Sequence, residues 1–343
     1  LIEDAFSGVH MIAPYLDELG YDSHLVVANC GHAQFAWMRE RGLPVEQVND
    51  LMWRIVRRQI EAIDPDVLYL SEPVQFPGAF LRTLPKKPKL VLGWRAANIP
   101  QDIDWHGFDV MLSSLSRLRE AAVKLGARHA EDFAPGIPQR IYQGIRDIRP
   151  EHDVVFPGQL TLGQHPRRNY LLSRIAEVAA RGDFTCALHL SGDLSLATSD
   201  MTRFLREPVY GLSMHRALRS GRIAFDGRGN IGLIDANSQE VVDLASQESG
   251  NMRIFEATGS GVFLLTEYFP NLAKHFEIGK EIEVFHDDSD LINKIRYYVA
   301  HPREREDIAE RGLQRCLREH SMERRIHDFD GIVRRHLALA NRH

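Results

Sequence analysis

Residues Glu248 to Glu267 read E-S-G-N-M-R-I-F-E-A-T-G-S-G-V-F-L-L-T-E, and this stretch decides how the chain is organised. Its apolar run, Val262 to Leu265, follows Gly259 and Gly261 directly, which is the pattern of a buried parallel strand. Met252 to Thr258 reads as a short helix, and its first turn near Gly250 and Asn251 directs unpaired amide groups at an anion. Seven residues separate Glu248 from Glu256, and Arg253 is one of them. Carboxylates accept hydrogen bonds from ribose and sugar hydroxyls, and a guanidinium suits phosphate. The stretch therefore reads as a sugar-nucleotide clamp, beside the plainer reading of a helix-strand unit with surface charges. Glu267, beyond the buried strand, reads as a loop residue near that site.

The rhythm continues in both directions. Towards the N-terminus, Asp153–Phe156, Thr185–Leu190 and Arg222–Phe225 read as strands, with helices over Asn169–Arg181 and Tyr210–Ser220. Pro157 to Arg168 is a polar loop. Beyond the clamp come a strand at Glu281–Phe285, a helix capped by Asp287 and running to Ala300, and another that starts at Pro302 and ends near His320. The tail from Ser321 to His343 is helical and charged, with Ile326, Phe329, Ile332, Val333 and Leu337 as its packing face. The first half repeats the scheme: helices over His10–Leu19, Val45–Ile63 and Leu115–Leu125, and strands at Ser23–Ala28, Val67–Leu70, Leu90–Gly93 and Asp109–Ser113. The segment from Pro135 to Pro150 is rich in Pro and Gly and reads as a linker. The expected fold class is α/β with parallel sheets, and its ligands lie at the carboxyl edges of those sheets.

A chain of 343 residues suggests two domains of about 150 residues each. Its 44% hydrophobic and 26% charged residues are those of a soluble globular protein. A net charge of -5 offers nucleic acid or membrane no general attraction. Cys30, Cys186 and Cys316 stand apart, which argues against a disulfide framework or zinc site and for a reducing, cytoplasmic setting. No apolar run approaches the roughly 18 residues that span a bilayer. No signal peptide is apparent at Leu1, and without an initiator Met an earlier strand stays open.

Four segments together, N-M-R-I-F-E-A-T-G-S-G-V-F-L-L-T-E, L-A-K-H-F-E-I-G-K-E-I-E-V-F, I-R-Y-Y-V-A-H-P-R-E-R-E-D-I-A-E-R-G and H-S-M-E-R-R, resemble the CgeB-like group of bacterial glycosyltransferases. V-F-P-G-Q-L and H-P-R-R (His165–Arg168) form a second anchor, so the resemblance covers about Phe156 to Phe329. It implies the GT-B architecture, two facing Rossmann-like domains: residues 1–150 on the acceptor side, 151–320 holding a nucleotide-sugar donor, and 321–343 as a helix crossing back. It also implies roles. Glu256 would accept hydrogen bonds from the ribose, and Glu248 would be the first glutamate of the E-x7-E arrangement that retaining relatives carry. Gly259 and Gly261 would admit the donor to the backbone. Arg253 and the loop with Gly158, His165, Arg167 and Arg168 would neutralise the diphosphate. Relatives of this kind need no metal or other cofactor, and Asp102-Ile103-Asp104 is D-x-D only formally.

An inverting reaction needs a base from the first half to take the acceptor's proton. The candidates are His10, Glu72, Asp102, Asp104 and His106, with Asp4, Trp94 and Arg95 nearby; Asp104-Trp105-His106 joins an acid, an aromatic platform and an imidazole. Each also has a structural reading as a cap, turn or exposed loop residue. A retaining reaction needs no such base. The resulting expectation is transfer of a sugar from a nucleotide-diphosphate donor to a hydroxyl on a glycan, lipid-linked, protein or small-molecule acceptor. Its alternatives are a GT-B nucleotide-sugar epimerase and a non-catalytic sugar-nucleotide-binding or coat-associated protein.

Overall fold

The computed structural model describes residues 3–4, 12–44, 50–234 and 241–340. In chain order the first elements are α1 (Ala13–Leu16), α2 (Gly31–Glu40), α3 (Leu51–Ile63), β1 (Val67–Leu70), α4 (Gly78–Leu81), β2 (Leu90–Trp94), β3 (Ile99–Pro100), β4 (Val110–Ser113), α5 (Ser116–Lys124) and β5 (His129–Asp132). Next come α6 (Gln139–Ile145), β6 (His152–Leu160), α7 (Pro166–Ala180), β7 (Cys186–Gly192), α8 (Ser199–Arg203), β8 (Leu205–Arg206), α9 (Gly211–Arg219), β9 (Gly221–Asp226), β10 (Gly232–Ile234) and β11 (Val241–Asp243). The chain closes with α10 (Arg253–Gly259), β12 (Phe263–Glu267), β13 (Glu283–Phe285), α11 (Asp288–Ala300), α12 (Pro302–Glu319) and α13 (Met322–Ala340). Among the described residues, no helix is long and apolar enough to cross a membrane.

These elements form two compact units whose borders cut across the sequence halves. Among the described residues, the N-terminal unit comprises 12–44, 50–133, 232–234, 241–244 and 328–340; the C-terminal unit takes Ala134–Ile231 and Ala245–His327 with Glu3 and Asp4. The linker read at 135–150 is thus the start of the C-terminal unit, and it contains helix α6.

The N-terminal unit carries a four-stranded parallel sheet in the order β1-β2-β4-β5. The segment 21–30 is irregular, so Ser23–Ala28 is not a strand; its Ser23 hydroxyl instead bonds the Ala13 carbonyl and the Asp17 carboxylate at 2.7 and 2.5 Å. Helix α3 buries Ile55, Val56 and Ile60 on one face and stops at Asp64, whose φ of 48° is left-handed. Residues 45–49 of that expected helix, and His10 of the first one, lie outside the described residues. The hairpin β10–β11 pairs with β3, with Leu233 opposite Ile99 and Ile234 opposite Pro100. The second half of α13 packs its Phe329 edge-on against Tyr69 and Phe133, at 5.3 and 5.7 Å between ring centres.

The C-terminal unit carries a six-stranded parallel sheet, β13-β12-β9-β6-β7-β8. The chain lays down β6, β7 and β8 outward on one side, then returns to place β9, β12 and β13 on the other. This is the doubly wound order with its switch point between β6 and β9. The sheet face buries Phe156, Leu188, Phe225, Phe263 and Phe285 against Leu171 and Ile175 of α7 and Leu291 and Ile295 of α11. Phe225 and Phe285 stack 5.9 Å apart.

On the other face α10 and α12 lie close to the backbone before β13. A Cβ on Gly312 would sit 2.2 Å from the Glu281 carbonyl oxygen. Gly→Ala inside a helix ordinarily stabilises by about 1 kcal/mol, but here the added methyl meets main chain. Gly312→Ala is therefore expected to lower the urea midpoint, by about 1–3 kcal/mol of stability.

Burial holds His215 and His320 down to about 3 and His275 down to about 4, from an ordinary 6.5. An unfolded chain takes up these protons near the ordinary value and the folded one does not. Stability from these residues is thus complete above pH 6.5 and lost as pH falls towards the folded values. The urea midpoint should fall between about pH 7 and about pH 5, and His320→Gln should flatten that dependence.

Candidate active site

The switch point gathers the ends of β6 and β9 and the start of α10. β6 continues as far as Leu160, so Gly158 belongs to the strand and not to a loop. A Cβ there would lie 2.5 Å from the Phe156 ring. Glycine thus makes room for the ring above which Arg168 places its guanidinium, 5.7 Å from the centre. Arg168 donates from Nη2 to the Gln159 carbonyl at 2.5 Å, and its buried Nε meets no acceptor among the described residues. Burial holds this guanidinium down to about 10.

Arg253, at the start of α10, donates from Nη2 to the Pro157 carbonyl at 2.9 Å and pairs with Glu256, one turn on, at 3.1 Å. It lies close enough to Arg168 to oppose that residue's charge. Burial raises the pKa of Glu256, and Arg253 opposes the rise. Two arginines and a carboxylate, all largely removed from water, thus converge where a doubly wound sheet binds its ligand.

Around this centre lie partners of more structural character. Arg167 pairs with Glu267, at the end of β12, at 3.1 Å. His165 is left-handed at φ 55°, and its Nδ1 accepts the Asn230 amide at 2.8 Å. Burial first, then Arg168, hold its pKa down to about 4. At neutral pH the imidazole pins the 230 loop and brings no charge to an anion. Glu248 offers its carbonyl to Arg228 at 3.3 Å. Gly259 and Gly261 are elsewhere: a Cβ on Gly259 would meet Ile137 at 2.6 Å, and one on Gly261 would meet Tyr142 at 2.8 Å. They end α10 and precede β12, so they occupy the amino edge of the sheet and serve helix packing, not access to a donor.

The first-half candidates divide in the same way. Glu72 stands at the carboxyl edge just after β1, where Arg95 Nη1 donates to both its oxygens at 2.8 and 2.9 Å. Asp104 and His106 stand at the opposite edge. β3 leaves the main sheet to pair with β10, and residues 101–109 then run back to the start of β4. The Trp105 amide accordingly bonds the Leu125 carbonyl, beyond the C-terminus of α5, at 2.8 Å. Trp105 itself is fully buried and donates Nε1 to the Pro73 carbonyl at 3.2 Å, so it is core and not a sugar platform. Asp104 binds Arg82 at 2.6 Å and His106 Nδ1 at 2.8 Å; Arg82 above all holds its pKa down to about 2. Asp102 lies in an exposed turn.

Asp226 and Arg228 escaped the sequence reading. D-G-R-G-N at 226–230, directly after the apolar strand R-I-A-F, was the available signal, since a polar loop after a buried strand marks the ligand edge. Arg228 holds the Ser246 and Glu248 carbonyls and covers Phe269 at 4.3 Å.

Residues 167–331 match the family described as glycosyl transferase-like. No curated protein matches the chain by sequence. Among solved structures, the avilamycin A biosynthesis glycosyltransferase AviGT4 superposes with a TM-score of 0.60 at 15% identity, covering 98% of this chain and 91% of that one. Anabaena Alr3699/HepE, in complex with UDP and glucose, gives 0.59 at 10%, covering 95% and 96%. A glycosyltransferase from Rickettsia africae ESF-5 gives 0.57 at 9%, covering 96% and 94%. At such identities the likeness is one of fold. The chain has the GT-B fold of these glycosyltransferases, and its stretch 167–331 carries the glycosyl transferase-like pattern.

Proposed function

We propose that this protein transfers a sugar from a nucleoside-diphosphate sugar to a hydroxyl acceptor, as a member of the CgeB-like group. The observation that carries the reading is the pair Arg168 and Arg253, desolvated and mutually repelling at the switch point beside Glu256. A diphosphate relieves that repulsion and supplies acceptors to their remaining N–H groups. Glu256 then accepts from the ribose hydroxyls. As the bond to the sugar breaks, charge grows on the leaving phosphate, and guanidinium groups already in place stabilise it without reorganising. UDP is the first nucleotide to try, since HepE and the pneumococcal transferase GtfA, of similar fold, are described with UDP. The three separate free cysteines agree with a reducing, cytoplasmic setting.

On this reading Glu72, at the carboxyl edge of its own sheet, takes the acceptor's proton if the reaction inverts; if it retains, the leaving phosphate takes it. Asp104 is a poor base at neutral pH because Arg82 lowers its affinity for a proton, holding its pKa down to about 2.

Glu256→Gln should weaken UDP binding about 10- to 100-fold, the worth of hydrogen bonds to a charged acceptor, as read by calorimetry. Equal binding by the wild type and this variant would remove the ribose assignment. With arginines in the role of the cation, a chelator should leave sugar transfer unchanged, and loss of transfer restored by a divalent ion would point to a metal instead. Among the acids, Glu72→Gln should lower turnover at least tenfold if the reaction inverts, whereas Asp104→Asn and His106→Ala should stay within about twofold of the wild type.

A further inference from the structure

Asp226 ends β9 at the switch point and is 3% exposed. It accepts from Asn251 Nδ2 at both oxygens, at 2.8 and 3.1 Å, and from Thr266 Oγ1 at 2.8 Å. Asn251 belongs to the segment that joins Glu248 to α10. That segment is clasped a second time, because Asn271 accepts the Ser249 amide at 2.9 Å and donates to the Ser249 carbonyl at 2.8 Å. Asn271, Ser249, Asn251, Asp226 and Thr266 thereby form a buried polar chain that ties the segment to β9 and β12. Arg168 and Arg253 lie within the field of Asp226, and neither forms one of its hydrogen bonds. Burial raises the pKa of Asp226, and the negative charge it carries when ionised opposes anion binding at a diphosphate site. Its place there is explained by what it holds.

We propose that Asp226 is the positioning residue of the donor site: by accepting from Asn251 and Thr266 it fixes the segment 248–252 and the start of α10, so that Arg253 and Glu256 stand ready for the nucleotide. The carboxylate suits this task because it accepts at both oxygens, whereas an amide accepts at only one. The inference rests on the sugar-nucleotide reading above.

The experiment measures binding of whichever of UDP, GDP, ADP and dTDP the wild type binds best, by calorimetry on the full chain. Asp226→Asn presents an N–H to the Asn251 amide and should weaken binding at least about tenfold. Asn251→Asp alone places two carboxylates together and should weaken it at least as much. The double variant Asp226→Asn with Asn251→Asp reverses the pair, with residue 226 donating to residue 251 while still accepting from Thr266. It should recover affinity to within about threefold of the wild type. A merely structural loss at either position has no reason to be reversed by the second change. Should Asp226→Asn fail to fold, Asn251→Ser carries the test, with the same tenfold loss expected. Unchanged or tighter binding by Asp226→Asn, a swap that restores nothing, or unchanged binding by Asn251→Ser overturns the inference alone. A wild type that binds none of the four diphosphates overturns the sugar-nucleotide reading and this inference with it.

Discussion

Strand β6 is hydrogen-bonded on both sides, to β7 from Val154 to Leu160 and to β9 over its first half. The chain reaches β7 first and comes back to β9 later. The connections that leave the two central strands therefore run to opposite faces of the sheet, and a crevice opens at their carboxyl ends. Everything chemical in the C-terminal unit follows from that divergence. Arg168 comes from the helix after β6, Asp226 and Arg228 from the end of β9, and Arg253 and Glu256 from the helix that enters β12.

The crevice is electrostatically expensive in the protein alone. Arg168 and Arg253 are both largely buried, and buried charge is tolerated only with partners. Backbone carbonyls at Pro157 and Gln159 and the carboxylate of Glu256 supply part of what is needed. On the reading proposed above, a dianionic ligand would supply the remainder. Histidine has no share in this charge, since burial keeps His165 neutral and the Asn230 amide occupies its Nδ1.

Most of the second half was legible because its strands are buried on both faces and read as unbroken apolar runs, as at Val262–Leu265 and Ile223–Phe225. What periodicity cannot show is which edge of a sheet a residue reaches. Gly259 and Gly261 look like a ligand-approach motif by spacing, yet Ile137 and Tyr142 fill the space beside them. β5, H-A-E-D with side chains exposed or half-buried, carries no apolar signal and was passed over. Helix α2 was missed too, with only Gln34 and Met38 buried along it. For Asp226 the sequence marks a ligand edge but not the partners. A single Asp after a strand is common, and only the fold brings Asn251 and Thr266 to it.

The same limit explains Asp104 and His106. Acid, tryptophan and imidazole in a row suggest sugar binding only if the chain between β2 and β4 stays at the carboxyl edge. Two residues decide otherwise: Ile99 and Pro100 pair with a hairpin contributed from far along the sequence, and no local reading of the first half contains that partner. Once β3 is held there, the chain must return the full length of the sheet to begin β4, and Trp105 is drawn into the core at the far end. Asp104, beside Trp105, then satisfies Arg82 and the His106 ring. Of Glu72 and Asp104, this leaves Glu72 at the carboxyl edge, kept there by Arg95, which also bonds the Asn98 carbonyl at 2.5 Å. Asn98 in turn accepts the Gly232 amide at 2.7 Å, so the hairpin that sends Asp104 away also steadies the edge where Glu72 stays.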